Sequence, residues 1–279
     1  MLRLPPMPTI VERDVVAPIL IEEYDALSEL CGRFTDGDWA SPTCLPGWNV
    51  KDVVSHIIGT ESMLLGEPAP AVDVPAYEHV KNPTARFNEA WVESLRGVPG
   101  DEVLERFRAV TAKRADALRA MSQADFDQPS WTPVSPEETY GRFMRIRHFD
   151  CYLHELDIRA AIGAADREDP SHVGSAVREP LSALGYIVGK KAGLPRDTTV
   201  RLRLTGPVNE AHHVVVEERA KVVDALDGEP TAEVALPAVL FLRLSGGRVD
   251  AMPYIGHEIT FEGDHELAAR LATNLAFTI

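Results

Sequence analysis

Residues 142–163, RFMRIRHFDCYLHELDIRAAIG, constrain the fold more than any other part of the chain. On a helical wheel of about 100° per residue, Phe143, Ile146, Phe149, Leu153, Leu156 and Ala160, with Met144, Cys151, Ile158 and Ala161, make one broad apolar arc. Arg147, Asp150, His154 and Asp157 fall in the middle of that arc. Arg145, His148, Tyr152, Glu155 and Arg159 fill the opposite one. The pattern predicts that the second set faces water and that the first points into the protein.

Buried acids and imidazoles are costly unless paired, hydrogen-bonded or bound to a metal. Two readings stay open on the residues alone. One is a structural ion network in which Arg147 pairs with Asp150 and Asp157. The other is a metal site, because Asp150 and His154 at i and i+4 point the same way and can share one ion. A metal needs a third ligand from another helix, and His56 is the candidate. It lies mid-helix at the edge of an apolar arc of Val50, Val53, Val54, Ile57 and Leu64. A hydrogen-bonded core histidine is the competing reading of His56. Asp52, one turn earlier, reads as a first-turn acid. His148 is set aside because it projects to the wet arc. His212 and His213, adjacent on a strand, point to opposite faces and cannot chelate together. His79, His172, His257 and His265 show no helpful neighbours in the sequence.

The rest of the N-terminal half supplies helices for such a site. Val15, Ile19, Leu20, Tyr24, Leu27 and Leu30 recur at helical spacing within 11–35. After the loop SPTCLPGW, Asn49 reads as an N-cap and Asp52 as its first-turn acid, with the helix running to about Leu65. The proline-rich GEPAPAVDVP leads to a third helical region, about 84–121, broken by GVPG at 97–100, with Asp101 as a cap for its continuation. Ser135-Pro136-Glu137-Glu138 reads as a capping box that starts the fourth helix, and Gly163 as its stop. Four helices joined this way predict a bundle. Beyond about 165, a helix at 172–192 is followed by period-two stretches at 199–205, 213–217, 233–236 and 258–262, then a helix at 263–271 capped by Asp264. The expected fold class is α + (α+β), with a helical bundle at 1–164 and a small α+β domain at 165–279.

Charge and composition exclude other classes. The formal net charge of −15 repels phosphate backbones and anionic lipid, so neither nucleic acid nor a membrane surface is an expected partner. The longest apolar run, 234–242, holds a proline and is too short for a bilayer. The N-terminus lacks the apolar core of a signal peptide. Three scattered cysteines, Cys31, Cys44 and Cys151, make no disulfide framework, so a reduced, cytoplasmic protein with structural thiols is expected. Cys151, on the apolar arc, reads as an inert core thiol. There is no Gly-rich phosphate loop and no G-x-S-x-G elbow.

PTCLPGWNVKDVVSHIIGTE at 42–61, followed by the 142–163 stretch, resembles the mycothiol-dependent maleylpyruvate isomerase family. That family belongs to the DinB/YfiT-like superfamily of thiol-dependent, metal-binding four-helix bundles, and the C-terminal part resembles its sterol-carrier-like domain. The resemblance implies a divalent metal, usually zinc, on His56, Asp150 and His154. This chain departs in one place, having Asp150 where the isomerase proper has Glu. The resemblance also implies a metal-dependent enzyme that activates mycothiol as cosubstrate, for S-transfer to, or cis–trans isomerisation of, a small electrophile. No protein cysteine is needed, since the nucleophile comes with the cofactor. Asp157 is a candidate acceptor for the second nitrogen of His154, and Arg147 a candidate partner for Asp157 or for a substrate carboxylate. Arg248, in the Gly-Arg turn of LeuSerGlyGlyArgVal, is a candidate contact for an anionic substrate. The alternative is a non-catalytic metal-containing binder with a small-molecule or lipid pocket. A monomer or small homo-oligomer is expected.

Overall fold

Val16, Leu20, Tyr24, Leu27 and Cys31 recur at helical spacing and are all buried, and Arg13–Cys31 forms a long helix, α1. The computed structural model describes residues 9–135 and 137–278. Asn49 starts the next long helix, α2 (Val50–Leu64). Its side chain accepts the Asp52 amide at 3.0 Å while Asp52 Oδ2 accepts the Asn49 amide at 3.1 Å, a reciprocal capping box. Asn82 caps α3 (Pro83–Leu95), with proline at its first position. Then follow α4 (Gly100–Ala120) and α5 (Tyr140–Ala161).

Helix α1 packs on α4 and α5, and α2 packs on the same two, which closes a four-helix bundle. Helix α3 lies along α2. A Cβ on Gly59 would stand 2.4 Å from Trp91 Cγ, so the glycine lets the α3 tryptophan lie directly on the α2 backbone, one turn beyond His56. Leu20, Leu27, Val53, Ile57, Phe107, Leu118, Met144 and Ile158 fill the interior. Each such buried side chain contributes about 1.5–3 kcal/mol.

Two boundaries differ from the sequence expectation. Helix α5 starts at Tyr140, capped by Thr139, whose Oγ1 accepts the Arg142 amide at 3.0 Å. The expected start at Ser135 fails because Glu138, needed for the capping box, is held elsewhere. Its carboxylate accepts the Thr9 amide at 3.0 Å and Arg142 at 3.1 Å. Glu138–Thr139 instead pairs antiparallel with Pro129–Ser130, and Thr132 closes the turn on the Ser135 carbonyl. Pro136 lies outside the described residues. Pro99, not Asp101, occupies the N-cap of α4, and Asp101 sits in its first turn.

The chain divides into two units, Met1–Asp166 and Arg167–Ile279. In the second, the expected long helix at 172–192 is segmented into Pro170–Ala176, Arg178–Ser182, Leu184–Tyr186 and a π-helical turn, Ile187–Lys191. Pro180 lacks the amide that a continuous helix would need. The sheet has five strands, β1 (Thr199–Thr205), β2 (Glu210–Val216), β3 (Ala220–Val223), β4 (Ala232–Pro237) and β5 (Thr260–Gly263). Their order is β3-β2-β1-β4-β5, with β1 and β4 parallel and the other neighbours antiparallel. The edge strand β3 escapes sequence reading because its four residues do not alternate cleanly. After Pro237 the apolar run turns into a buried helix, α6 (Ala238–Ser245), and α7 (His265–Ala272) follows with Asp264 as its cap. The whole is α + (α+β). No helix among the described residues is long and apolar enough to cross a membrane.

Candidate metal centre

Helices α2 and α5 bring His56, Asp150 and His154 together. His56 Nε2 lies 3.3 Å from Asp150 Oδ2, and His154 Nε2 lies 3.5 Å from Asp150 Oδ1. The two imidazole rings stand 5.1 Å apart, nearly perpendicular. One ligand atom from each of the three residues falls within 4.8 Å of the others. Both histidines are buried, at 6% and 4% exposure, while the Asp150 side chain keeps 32%. The group is thus deep but opens on the side of the carboxylate.

The protonation states suit a cation. Burial pushes the His56 imidazole down, which favours the neutral ring with a lone pair. Burial alone would raise Asp150, but His154, Arg147 and His56 hold it well below the ordinary carboxylate range. Two imidazole nitrogens and one carboxylate oxygen are a zinc-type donor set, and three protein ligands leave room for a fourth group. The residues present therefore fit a divalent metal.

Each candidate ligand is held differently. His154 Nδ1 donates to Asp157 Oδ2 at 3.1 Å, which leaves its Nε2 for the site. Asp157 is buried, and its other oxygen accepts from Cys44 Sγ at 3.3 Å. Asp150 Oδ2 accepts from Arg147 Nη1, while Arg147 Nε donates to Glu61 Oε1 at 2.9 Å and Nη2 to Cys151 Sγ at 3.4 Å. Arg114 Nε donates to the other oxygen of Glu61 at 2.9 Å. Glu61 has no exposure, and the two guanidiniums overcome the effect of burial and keep its carboxyl low. The charges of Arg114 and Arg147 balance those of Glu61 and Asp150.

The other expected positions fall as follows. Arg147 is buried against Glu61 and Asp150, inside the bundle, and its guanidinium is committed to them. Arg248 lies in the second unit, half-buried, with Nη1 donating to the Gly246 carbonyl at 2.7 Å. His148, Tyr152 and Glu155, expected at the surface, are fully buried. The wheel assigned them to water because it treats α5 as having one wet face, whereas α1 packs along it. Glu155 accepts Arg159 at 2.7 Å. His79 does have neighbours: it donates to Glu89 at 3.0 Å and stacks on Tyr77. His172 meets Asp169 at 3.2 Å. Glu61, Glu89 and Trp48 were not singled out in the sequence, and Cys44 only as a structural thiol. An acid at 61, one turn past Ile57 of the apolar arc, was the available signal for the first of them.

Of the three cysteines, Cys44 is exposed and the other two are buried. Burial pushes Cys31 up to about 12 and Cys151 well above its ordinary value. An aromatic disulfide reagent at pH 8 is therefore expected to titrate one thiol in the folded chain and three after unfolding. Cys44→Ser should reduce the folded count to zero, and a second fast-reacting thiol in that variant would contradict the burial of Cys31 and Cys151.

The model of the mycothiol maleylpyruvate isomerase N-terminal domain matches residues 20–159. Among solved structures, the mycothiol-dependent maleylpyruvate isomerase is similar at 15% identity and a TM-score of 0.59, over 92% of this chain and 96% of that one. A histidine-to-alanine mutant of that enzyme gives 14% and 0.58 with the same coverage. These two likenesses concern the fold. A sterol carrier protein 2 like 2 from Aedes aegypti is 22% identical over 34% of this chain and 93% of its own, with a TM-score of 0.27. No curated protein matches the chain in sequence. The family model spans half of the chain and both helices that carry the histidines and the acid, and the chain belongs to the mycothiol maleylpyruvate isomerase N-terminal domain family.

Proposed function

We propose that the protein is a metal-dependent enzyme that uses a low-molecular-weight thiol, mycothiol by family, on a small electrophile. The observation that carries the reading is the convergence of His56, Asp150 and His154 from two helices at one partly open point. These three residues would hold a divalent metal, zinc by its donor set. When bound, such an ion supplies Lewis acidity that keeps a thiol deprotonated at neutral pH.

The chain's own residues prepare that chemistry. Asp157 orients His154, and Arg147 keeps Asp150 ionised and turned toward the histidines. No cysteine of the chain is required, since the nucleophile would come with the cofactor, and Cys151 and Cys31 are buried thiols held in the protonated form. A cofactor thiol so activated would supply reversible addition to a conjugated double bond, and hence cis–trans isomerisation. Without return, the same addition or a substitution would amount to S-transfer. Arg248 is proposed as a contact for an anionic substrate. The pairing of Arg147 with Asp150 also favours a second reading, a structural ion cluster without metal.

Elemental analysis of the purified chain, joined to a screen of thiol consumption and double-bond isomerisation with mycothiol and several electrophiles, separates these. One equivalent of metal and turnover that requires mycothiol are expected. Metal without turnover leaves a binding protein, and a metal-free chain that takes up no added zinc leaves the ion cluster.

A further inference from the structure

The two candidate histidine ligands are held in unlike ways. His154 is fixed by the hydrogen bond from its Nδ1 to Asp157. His56 Nδ1 is buried and has no hydrogen-bond partner among the described residues. A metal-binding histidine ordinarily donates this second nitrogen to a carboxylate, carbonyl or water, which sets the ring orientation. Among the described residues the His56 ring is held by packing, and the indole of Trp48 lies on it, with centroids 5.3 Å apart and planes tilted by 35°.

Trp48 is itself anchored. It directly precedes the Asn49 cap of α2, and its Nε1 donates to Glu89 Oε2 at 2.8 Å. Glu89, on α3, has no exposure and also accepts His79 Nε2 at 3.0 Å and Arg96 Nη2 at 2.6 Å. Arg96 reaches Asp52 on α2 at 3.5 Å, which ties the first turn of the His56 helix to the same hub. His79 packs against Gly47: a Cβ there would lie 2.7 Å from His79 Cε1, and Gly47 has φ +80°. Tyr77 stacks on His79 and donates to Glu93 at 3.1 Å. The segment before α3 is thus pinned onto the loop that presents Trp48.

We infer that Trp48, held by Glu89, is a positioning residue for the imidazole of His56, with His79 steadying the Glu89 hub. This rests on the metal reading of His56, Asp150 and His154. The indole does by contact what Asp157 does for His154 by a hydrogen bond. Glu89 fixes the indole because a buried carboxylate that accepts three donors has little freedom of its own.

The test is cobalt(II) titration of the full chain, read by the visible d–d spectrum and by competition with a chelator, in Trp48→Phe, Trp48→Leu and Glu89→Gln. Trp48→Leu should weaken cobalt binding by about 10–100-fold and shift the visible band, as expected when the support of a ligand is lost. Trp48→Phe, which keeps a ring but loses the donor to Glu89, should fall between Leu and the wild type. Glu89→Gln should shift the band in the same direction. Unchanged affinity and spectrum in Trp48→Leu and Glu89→Gln would overturn the inference. If Trp48→Leu does not fold, Trp48→Phe and Glu89→Gln decide. If the wild type binds no cobalt, the metal reading fails on its own, and the NMR shifts of the His56 ring decide the positioning role. A change in those shifts in Glu89→Gln, which leaves the indole in the chain, supports it, and identical shifts there refute it.

Discussion

Alanine at His56 or at His154 is expected to abolish stoichiometric metal binding while the helix content of the bundle persists. Each histidine would supply one of three protein donors, and both are buried with Nε2 turned to Asp150. Structural zinc in small domains is bound with about 10–16 kcal/mol shared among four ligands, so one donor is worth about 3 kcal/mol, more than about 100-fold in affinity. Asp157→Asn should act more mildly, by about 10–100-fold, since it removes only the acceptor that orients His154. Isothermal titration with zinc, with circular dichroism as the folding control, checks all three. Full metal content in both alanine variants would move the site elsewhere in the chain.

The largest stability effect is expected at Glu61. Its carboxylate lies between the buried guanidiniums of Arg114 and Arg147 and balances their charge together with Asp150. Glu61→Gln keeps the shape and leaves one buried positive charge uncompensated, which costs about 3–5 kcal/mol. For a chain of this size that lowers the melting temperature by about 6–20 °C. Adding Arg114→Met to Glu61→Gln restores neutrality and should recover much of the loss, because apolar replacement of a complete buried pair is often neutral or better. A double variant no more stable than the single one would mean that packing, not charge, governs the site.

The same residue predicts a pH dependence. The Glu61 carboxyl is held below its ordinary value of 4.5 in the folded chain, so its contribution is complete above 4.5 and is lost as pH falls through the depressed folded value. Acid unfolding of the wild type should therefore steepen below pH 4.5, and Glu61→Gln should flatten that limb.

Much of this architecture is written locally. Asn49 and Asp52 start α2 by hydrogen bonds three residues apart, and the apolar repeat of α1 needs only its own spacing to predict a helix. The start of α5 was not local, because the acid that would have capped it at Ser135 is taken by Thr9, at the far end of the bundle's sequence. The segmentation at Pro180 was present as a residue, yet the helical pattern around it masked the break.

Within the site the division has the same cause. Sequence alone determined that Asp150, His154 and Asp157 share one side of a helix, since side chains three and four residues apart align whatever the helix packs against. Only the tertiary structure decided what that side meets. His56, 94 residues from Asp150, reaches it because α2 and α5 are neighbours in the bundle. Arg147 turned to Glu61 and Asp150, His148 was buried although its arc read as wet, and Trp48 came to rest on His56 through a glutamate 41 residues away. Local spacing fixes the direction of a side chain relative to its own helix. Burial, charge pairing and stacking depend on which other helix arrives there, and that is set by the packing of the whole bundle.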